Sequence, residues 1–223
     1  MLKEDNVLAV WKPQMMSSGE VLDKIKSQFK FKKIGHCGTL DPFAEGLLIV
    51  VTGSETSNSD RYMNSLKTYK TVVRLGSETD TLDSTGLVVK RDELSQKKIT
   101  KKKINEVLLK FIGDVYQRPP SFSAKRINGV RLYKLARKDV FVKLKPIKIF
   151  IQSIDLISID ADKLTLKVVC GKGTYIRQLG CDIARELGTL GYLESLSRTR
   201  VGEYEQKDTL DLKDIQDWNC IHQ

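Results

Sequence analysis

Apolar and polar positions alternate along much of the chain in the way that strands require, and this pattern defines the first elements. Residues 8–11 predict a short strand that Pro13 ends. Residues 47–52 are almost continuously apolar, which predicts a strand buried on both faces. Residues 147–159 and 164–170 predict two longer strands. We therefore expect a chain rich in β-sheet.

Apolar residues at helical spacing interrupt the strands at several places. Ser17 and Glu20 have the spacing of a capping box, so a helix is expected to begin there and to bury residues 21–29 on one side. Further helices are expected at residues 100–111, 174–187 and 212–218. Gly113 and Gly188 are expected to end two of these helices, because glycine commonly follows a helix C-terminus.

The order of these elements favours one fold class. Strands and helices follow each other without the regular spacing of βαβ units, and residues 70–75 and 87–90 are expected to form a hairpin around a turn-rich segment. We predict an α+β fold with a mixed, largely antiparallel central sheet flanked by helices. A length of 223 residues fits a single domain that spans the chain.

The net charge of the chain bears on the kind of partner that it binds. The chain carries 38 Lys and Arg against 28 Asp and Glu, a net charge of +10, which indicates either a polyanionic partner or lysines that only keep the surface solvated. Residues 117–144, called the thumb segment below, mix Lys125, Arg126 and other basic residues with glycine and aromatic residues. That mixture is typical of a nucleic-acid contact surface.

Several function classes are disfavoured at this stage. The N-terminus lacks the basic and apolar regions of a signal peptide, and no apolar run is long enough to span a bilayer. We therefore expect a cytoplasmic protein that does not contact membranes. The four cysteines form no C-x-x-C pair, and His36 and His222 are the only histidines, so no metal site is expected.

The strongest candidate for chemistry is the string Gly-His-Cys-Gly-Thr-Leu-Asp-Pro at residues 35–42. Its glycines and proline precede a buried strand and indicate a fixed, unusual backbone path. Pro42 pushes Asp41 away from helical backbone angles, so its carboxylate can project into a cleft. An ordinary Asx turn, in which Asp41 bonds its own loop, is the alternative.

This string resembles the G-H-x-G-T-L-D-P signature of the TruB family of tRNA pseudouridine synthases. Other segments similar to that family follow in the same order, and each is short. They are Lys12-Pro13, Lys67-Thr68-Tyr69-Lys70, Thr79-Asp80-Thr81-Leu82-Asp83, Gln117-Arg118-Pro119-Pro120, Gly173-Thr174-Tyr175-Ile176-Arg177 and Leu196-Ser197-Arg198-Thr199. Together they cover most of residues 9–202.

The resemblance implies a role for each matching residue. Asp41 would be the catalytic carboxylate, Tyr69 would stack on the target uracil, and Arg177 would pair with Asp41. Leu196 would form a wall of the base pocket, and His36 would contact the remodelled RNA loop. Without the resemblance, Tyr69 is best interpreted as a core residue and Arg177 as a surface helix residue.

Three basic residues complete the candidate set for substrate binding. Lys12 can contact a phosphate or donate structural hydrogen bonds, and we favour the structural role. Lys125 and Arg126 lie in the thumb segment, which would close on the RNA. The resemblance also implies an isomerase that needs no cofactor, acts as a monomer on the tRNA T-stem-loop, and converts uridine 55 after base flipping.

The chain departs from the family pattern at three points. Met15 stands where glycine is usual, Ser17 replaces threonine, and Glu55-Thr56-Ser57 replaces a segment that ends in lysine. Too few residues follow Gly202 for the C-terminal RNA-binding domain of many bacterial members, so none is expected. These departures motivate one alternative, a non-catalytic RNA-binding or RNA-folding protein of the same fold. A weaker alternative is a hydrolase with an aspartate nucleophile.

Overall fold

The computed structural model describes residues 6–92, 99–120, 122, 126–127, 130–131 and 144–215. Within them are fourteen strands and four α-helices. The strands are β1 (Val7–Lys12), β2 (Ile34–His36), β3 (Glu45–Thr52), β4 (Lys67–Leu75), β5 (Ser77–Thr79), β6 (Val88–Arg91), β7 (Gly113–Gln117), β8 (Arg126–Ile127), β9 (Val130–Arg131), β10 (Ile147–Asp160), β11 (Lys163–Cys170), β12 (Gly191–Val201), β13 (Tyr204–Glu205) and β14 (Leu210–Asp211). The helices are α1 (Ser18–Gln28), α2 (Ser59–Asn64), α3 (Lys101–Leu109) and α4 (Ile176–Glu186).

The described residues fall into two compact units. The first takes those within Met1–Lys70, Val169–Lys172 and Leu196–Gln223, and the second takes those within Thr71–Val168 and Gly173–Ser195. The first unit contains strand order β14–β1–β3–β12, with β2 beside β3 and β13 beside β12. Antiparallel pairs include β1 with β3 and β2 with β3, whereas β1 with β14 and β3 with β12 are parallel.

Strand β3 organises the core of the first unit because it is buried on both faces. Leu48 and Val50 on one face pack in a cluster with Val21 and Ile25 of α1. Residues 47, 49 and 51 on the other face pack in a cluster with Tyr62 of α2. The continuous apolar run of the sequence is therefore explained by two separate apolar layers, one on each side of a single strand.

The second unit contains strand order β12–β4–β11–β10–β7, and two short hairpins, β5–β6 and β8–β9. Strand β10 runs antiparallel to β7, with Ile147 opposite Gln117 and Ile151 opposite Gly113. Helix α3 packs on β10 and buries Ile104. The predicted mixed, largely antiparallel sheet of an α+β fold is confirmed.

Most predicted elements are present, and the errors lie at element ends and in one strand pairing. The capping box of Ser17 and Glu20 is confirmed. The predicted hairpin partner of β6 was wrong, because β6 pairs with the short β5 inside the segment taken for a turn. Helix α3 ends at Leu109, well before Gly113, which instead begins β7. Helix α4 begins at Ile176, with Tyr175 as its N-cap, rather than at Thr174 as predicted.

The C-terminal helix expected at residues 212–218 is only partly described. The described residues form a single 3₁₀ turn, Leu212–Asp214, and Trp218 lies outside them. Most of the thumb segment also lies outside the described residues, apart from its first residues, β8, β9 and Leu144. No helix in the described part of the chain is long and apolar enough to cross a membrane.

Candidate active site

Asp41 lies in a loop, residues 37–44, that joins β2 to β3 and is called the Asp41 loop below. The backbone turns tightly after Asp41, because the Ala44 amide donates a hydrogen bond to the Asp41 carbonyl at a distance of 3.1 Å. The buried hydroxyl of Ser18 both accepts from the Leu40 amide at 3.0 Å and donates to the Leu40 carbonyl at 3.1 Å. Helix α1 therefore fixes the backbone directly before Asp41.

Lys12 holds the other side of the same loop. Its side chain is fully buried, and its ammonium donates to the carbonyls of Pro13, Met16 and Ala44 and, at 3.4 Å, of Pro42. Burial lowers the pKa of Lys12 to about 8, against the opposing attraction of the nearby Asp41 carboxylate. This geometry supports the structural interpretation of Lys12 rather than direct contact with a phosphate.

Arg198 on β12 is a third buried donor, with 1% of its surface exposed. Its Nε donates to the Leu47 carbonyl at 2.7 Å, and one terminal nitrogen donates to the Gly38 carbonyl at 3.1 Å. The guanidinium also hydrogen-bonds the phenol of Tyr69. One side chain thus connects strand β3, the Asp41 loop and the residue expected to stack on uracil.

Two glycines allow this close packing. Gly38 has a φ of +98° and faces Arg198, a conformation that other residues rarely adopt. Gly46 has a φ of +123°, and a Cβ there would lie 2.4 Å from the Arg198 carbonyl oxygen. The fixed backbone path predicted from the glycines of this region is therefore present.

Tyr69 and Leu196 are both buried, at 9% and 4% exposure. Burial raises the pKa of the Tyr69 phenol, while the charge and hydrogen bond of Arg198 act in the opposite direction. Leu196 is two residues before Arg198 on β12, so their side chains point to the same face of the strand. The base-stacking role of Tyr69 and the pocket role of Leu196 remain predictions.

Arg177 lies in the first turn of α4 in the second unit and is also buried, at 5% exposure. Its guanidinium donates to the carbonyls of Thr81 and Phe122, each at 2.7 Å, and lies 3.4 Å from Asp83. The expectation of a surface residue, which the helix pattern alone suggests, is therefore wrong. The pairing of Arg177 with Asp41 remains a prediction.

The other candidate binding residues differ in what the structure describes. His36 ends β2 opposite Val50 and is partly exposed. Lys125 lies outside the described residues, and of Arg126 only the backbone position in β8 is described. Their predicted contacts with RNA remain predictions. Among the described residues, no group of three or more His, Cys, Asp or Glu side chains is placed to hold a metal ion.

Met15 shows how a departure from the family pattern is accommodated. Its φ is +61°, the left-handed conformation that glycine adopts without cost. Its amide donates to the Pro42 carbonyl at 2.7 Å, which joins this turn to the Asp41 loop. The backbone at this position therefore keeps a glycine-like conformation although a larger, 73% exposed side chain occupies it.

The family assignment follows from sequence comparison over this same region. A family model described as the TruB family pseudouridylate synthase N-terminal domain matches residues 26–176, which include Asp41 and Tyr69. The chain belongs to the TruB family.

Comparisons with individual proteins extend the match beyond that domain. The tRNA pseudouridine synthase B of Aquifex aeolicus is 39% identical over 213 residues, which cover 95% of this chain and 73% of that protein. The enzyme of the same name from Mycoplasma mobile is 44% identical over 198 residues, or 88% and 68% of the two chains.

A solved structure of a Cbf5–Nop10–Gar1 complex contains a chain with the same fold. The TM-score is 0.74 at 26% identity, and the match covers 97% of this TruB-family chain. It covers 54% of the other chain, so the protein spans about half the length of that structural neighbour. A structure of an H/ACA RNP bound to a substrate RNA gives a TM-score of 0.71 at 23% identity, which supports the fold.

Sequence reasoning missed two residues that shape the site. Ser18 was interpreted only as part of a helix start, although it holds Leu40 through two hydrogen bonds. Arg198 was noted within a motif but given no role. The sequence did carry a signal for the role of Arg198, because Leu196 and Arg198 occupy alternate positions of one strand and so share a face. An arginine on the same face as a buried leucine needs buried hydrogen-bond acceptors.

Proposed function

We propose that this protein is a tRNA pseudouridine synthase that isomerises uridine 55 of the tRNA T-loop to pseudouridine. The observation that carries the proposal is the Asp41 loop, held by three buried donors beside Tyr69 in a chain of the TruB family. The reaction breaks the N1–C1′ bond, rotates the uracil and joins C5 to C1′. Reactant and product have the same atoms and oxidation level, so no redox partner is required.

Asp41 is the reacting carboxylate in this proposal. It attacks the sugar or the base, or it assists removal of a proton from the sugar, and each route needs the ionised form. The buried ammonium of Lys12 interacts electrostatically with the Asp41 carboxylate, and Arg198 donates a hydrogen bond to Gly38 in the same loop. Arg177 would add a cationic partner for Asp41, as the family resemblance implies.

The remaining residues bind the base and the RNA. The target uridine is stacked in the free RNA and has to be flipped out, which costs a few kcal/mol. Stacking on Tyr69 would offset this by about 1–3 kcal/mol. Leu196 would close the pocket, and His36, Lys125 and Arg126 would contact the RNA, with the thumb segment closing over the T-stem-loop.

The organisation of the protein is part of the proposal. A single catalytic domain that works as a cytoplasmic monomer on tRNA, without a cofactor, fits the family assignment. The relatives named tRNA pseudouridine synthase B support tRNA as the substrate class.

The decisive test is Asp41→Asn, which keeps the shape of the side chain and removes its charge. Conversion of an unmodified T-stem-loop RNA, followed by nucleoside analysis, should fall by more than about a thousandfold. Binding of the RNA should change little, because the carboxylate is not expected to provide affinity. Asp23→Asn, in an exposed carboxylate of α1, is the matched control and should leave conversion intact.

Two outcomes would contradict the proposal in different ways. Turnover that survives in Asp41→Asn would remove this residue from the chemistry. Tight binding of the RNA by the unaltered protein, with every uridine left unchanged, would favour the non-catalytic RNA-binding alternative.

A further inference from the structure

A groove of about 490 Å³ lies in the first unit, beside the strand that leads to the Asp41 loop. The end of α1, the segment before β2, the 3₁₀ turn Gly53–Asn58 and helix α2 form its walls. Phe31 and Met63 give it apolar surface, and Lys26, Lys32 and Lys33 give it positive charge. None of the described residues that line it is acidic, which favours an anionic ligand.

The lysines of this groove are presented to solvent. Lys32 and Lys33 are exposed, and half of the Lys26 side chain is exposed. Lys26 lies 3.9 Å from Asp23, but both groups are open to water, so this ion pair is weak. The positive charge of the groove therefore faces solvent.

The backbone that carries the lysines is fixed before any ligand binds. The carbonyl of Lys33 accepts from the Gly53 amide at 2.9 Å, and β2 pairs with β3 directly afterwards. Phe31 stacks against Phe29 with ring centroids 5.8 Å apart. A preformed groove does not have to be ordered on binding, so more of the contact energy appears as affinity.

The groove is also close to the candidate reaction centre along the chain. His36 lines it, and Asp41 follows five residues later, so the two lie at most about 18 Å apart. A single RNA strand can cover that distance with only a few nucleotides. The separation is therefore within the reach of one RNA strand.

We propose that this groove binds a nucleotide of the substrate RNA close to the target uridine. Its phosphate lies against Lys32 and Lys33, and its sugar and base lie along Phe31 and Met63. The inference rests on the proposed function, because it takes the RNA substrate as the ligand. The groove would contribute to the affinity for the RNA and take no part in the chemical step.

The first experiment compares two pairs of lysine substitutions. Lys32→Ala/Lys33→Ala should weaken binding of an unmodified T-stem-loop RNA by about tenfold and raise KM similarly, with kcat little changed. The salt dependence of binding should become less steep, by roughly 0.7 to 0.9 per lost phosphate contact. Lys101→Ala/Lys102→Ala, in exposed lysines of α3, is the control and should leave KM unchanged.

Two further arms separate a specific site from general charge. Lys32→Arg/Lys33→Arg should restore the affinity and the salt slope. RNAs that carry a single photoreactive 4-thiouridine should cross-link to Phe31 or Met63 from one position near the target uridine. Equal weakening by both alanine pairs, or cross-links spread over every position, would overturn the groove assignment.

The inference and the proposed function fail in distinguishable ways. Normal conversion with an unchanged KM in Lys32→Ala/Lys33→Ala would overturn the groove and leave the activity standing. Lysine-dependent binding with position-specific cross-links, but no pseudouridine, would support the groove and overturn the proposed activity.

Discussion

The two units of the protein hold their structural cations in different ways. In the first unit, Lys12 and Arg198 donate to backbone carbonyls around the Asp41 loop. In the second unit, the buried Arg177 lies 3.4 Å from Asp83 in addition to its two carbonyl acceptors. The half-exposed Arg185 lies 2.6 Å from Glu78. The first arrangement uses neutral acceptors, whereas the second places carboxylates beside the arginines.

This difference has a consequence for the chemistry. Carbonyl groups satisfy the hydrogen-bonding capacity of a cation without cancelling its charge, so the charge still acts on its surroundings. Lys12 and Asp41 interact electrostatically, and so do Arg198 and Tyr69. A carboxylate neutralises its cation and mainly adds structure. The first unit therefore retains positive charge where the proposed reaction needs an ionised carboxylate.

Among the substitutions that test this contrast, Arg198→Met is expected to have the largest effect on stability and conversion. It leaves the buried carbonyls of Leu47 and Gly38 without their donor and removes the charge beside Tyr69. We expect a loss of about 2–6 kcal/mol in the free energy of unfolding, at about 1–3 kcal/mol for each unsatisfied group. Conversion should fall by about a hundredfold or more, because displacement of the loop misplaces Asp41.

Arg198→Lys is the matched control for that prediction. It keeps a buried positive charge but offers fewer fixed donor directions, so it should recover part of the stability and part of the conversion. Urea unfolding and RNA conversion measure the two effects separately. A folded Arg198→Met protein with full conversion would show that the charge beside Tyr69 is dispensable.

Lys12 gives a second prediction, which concerns pH. Burial lowers its pKa to about 8 from 10.5, and the pKa of Lys67 is also lowered to about 8 by burial. The folded protein thus releases these protons at lower pH than the unfolded chain does. Stability should therefore rise as the pH increases from about 8 towards 9.

Cysteine limits that rise at higher pH. Burial raises the pKa of Cys37 from 9.0 to about 11, so the unfolded thiol ionises before the folded one and the rise in stability becomes less steep above pH 9.0. Lys12→Met should be destabilised by roughly 1–3 kcal/mol and should show a smaller rise below pH 9.0. Urea midpoints across this range measure both effects, and an unchanged pH dependence in the variant would exclude Lys12 as a source.

The site shows what a sequence can and cannot predict. Residues 47–52 predicted β3 because a continuous apolar run has few other solutions, and Ser17 with Glu20 predicted the start of α1. Asp41 was a candidate because of its local motif. These signals lie within a few residues of the feature that they predict.

Long-range contacts were not predictable in the same way. The hydrogen bonds of Arg198 to Leu47 and Gly38 join residues 151 and 160 positions apart, and no local pattern encodes such a pairing. The true partner of β6 was missed because β5 is only three residues long and contains Glu78, whose burial depends on Arg185. Tertiary contacts decide such elements.

Arg185→Met tests the second unit and should have the smallest effect. Burial alone would raise the pKa of Glu78, but the hydrogen bond and charge of Arg185, together with Lys90, outweigh it and lower that pKa below 4.5. A lowered carboxyl pKa stabilises the fold above pH 4.5 and loses this effect as the pH falls. We therefore expect a loss of about 1–2 kcal/mol at neutral pH that shrinks in acid.

Measurement of RNA conversion distinguishes Arg185→Met from Arg198→Met. Because the charge of Arg185 is paired with Glu78, Arg185→Met should retain conversion within about twofold wherever it is folded. Lys110→Met, which breaks the more exposed pair with Glu186, is the control and should cost less than about 0.5 kcal/mol. If Arg185→Met lost as much conversion as Arg198→Met, the contrast between carbonyl-held and carboxylate-held cations would have no functional meaning.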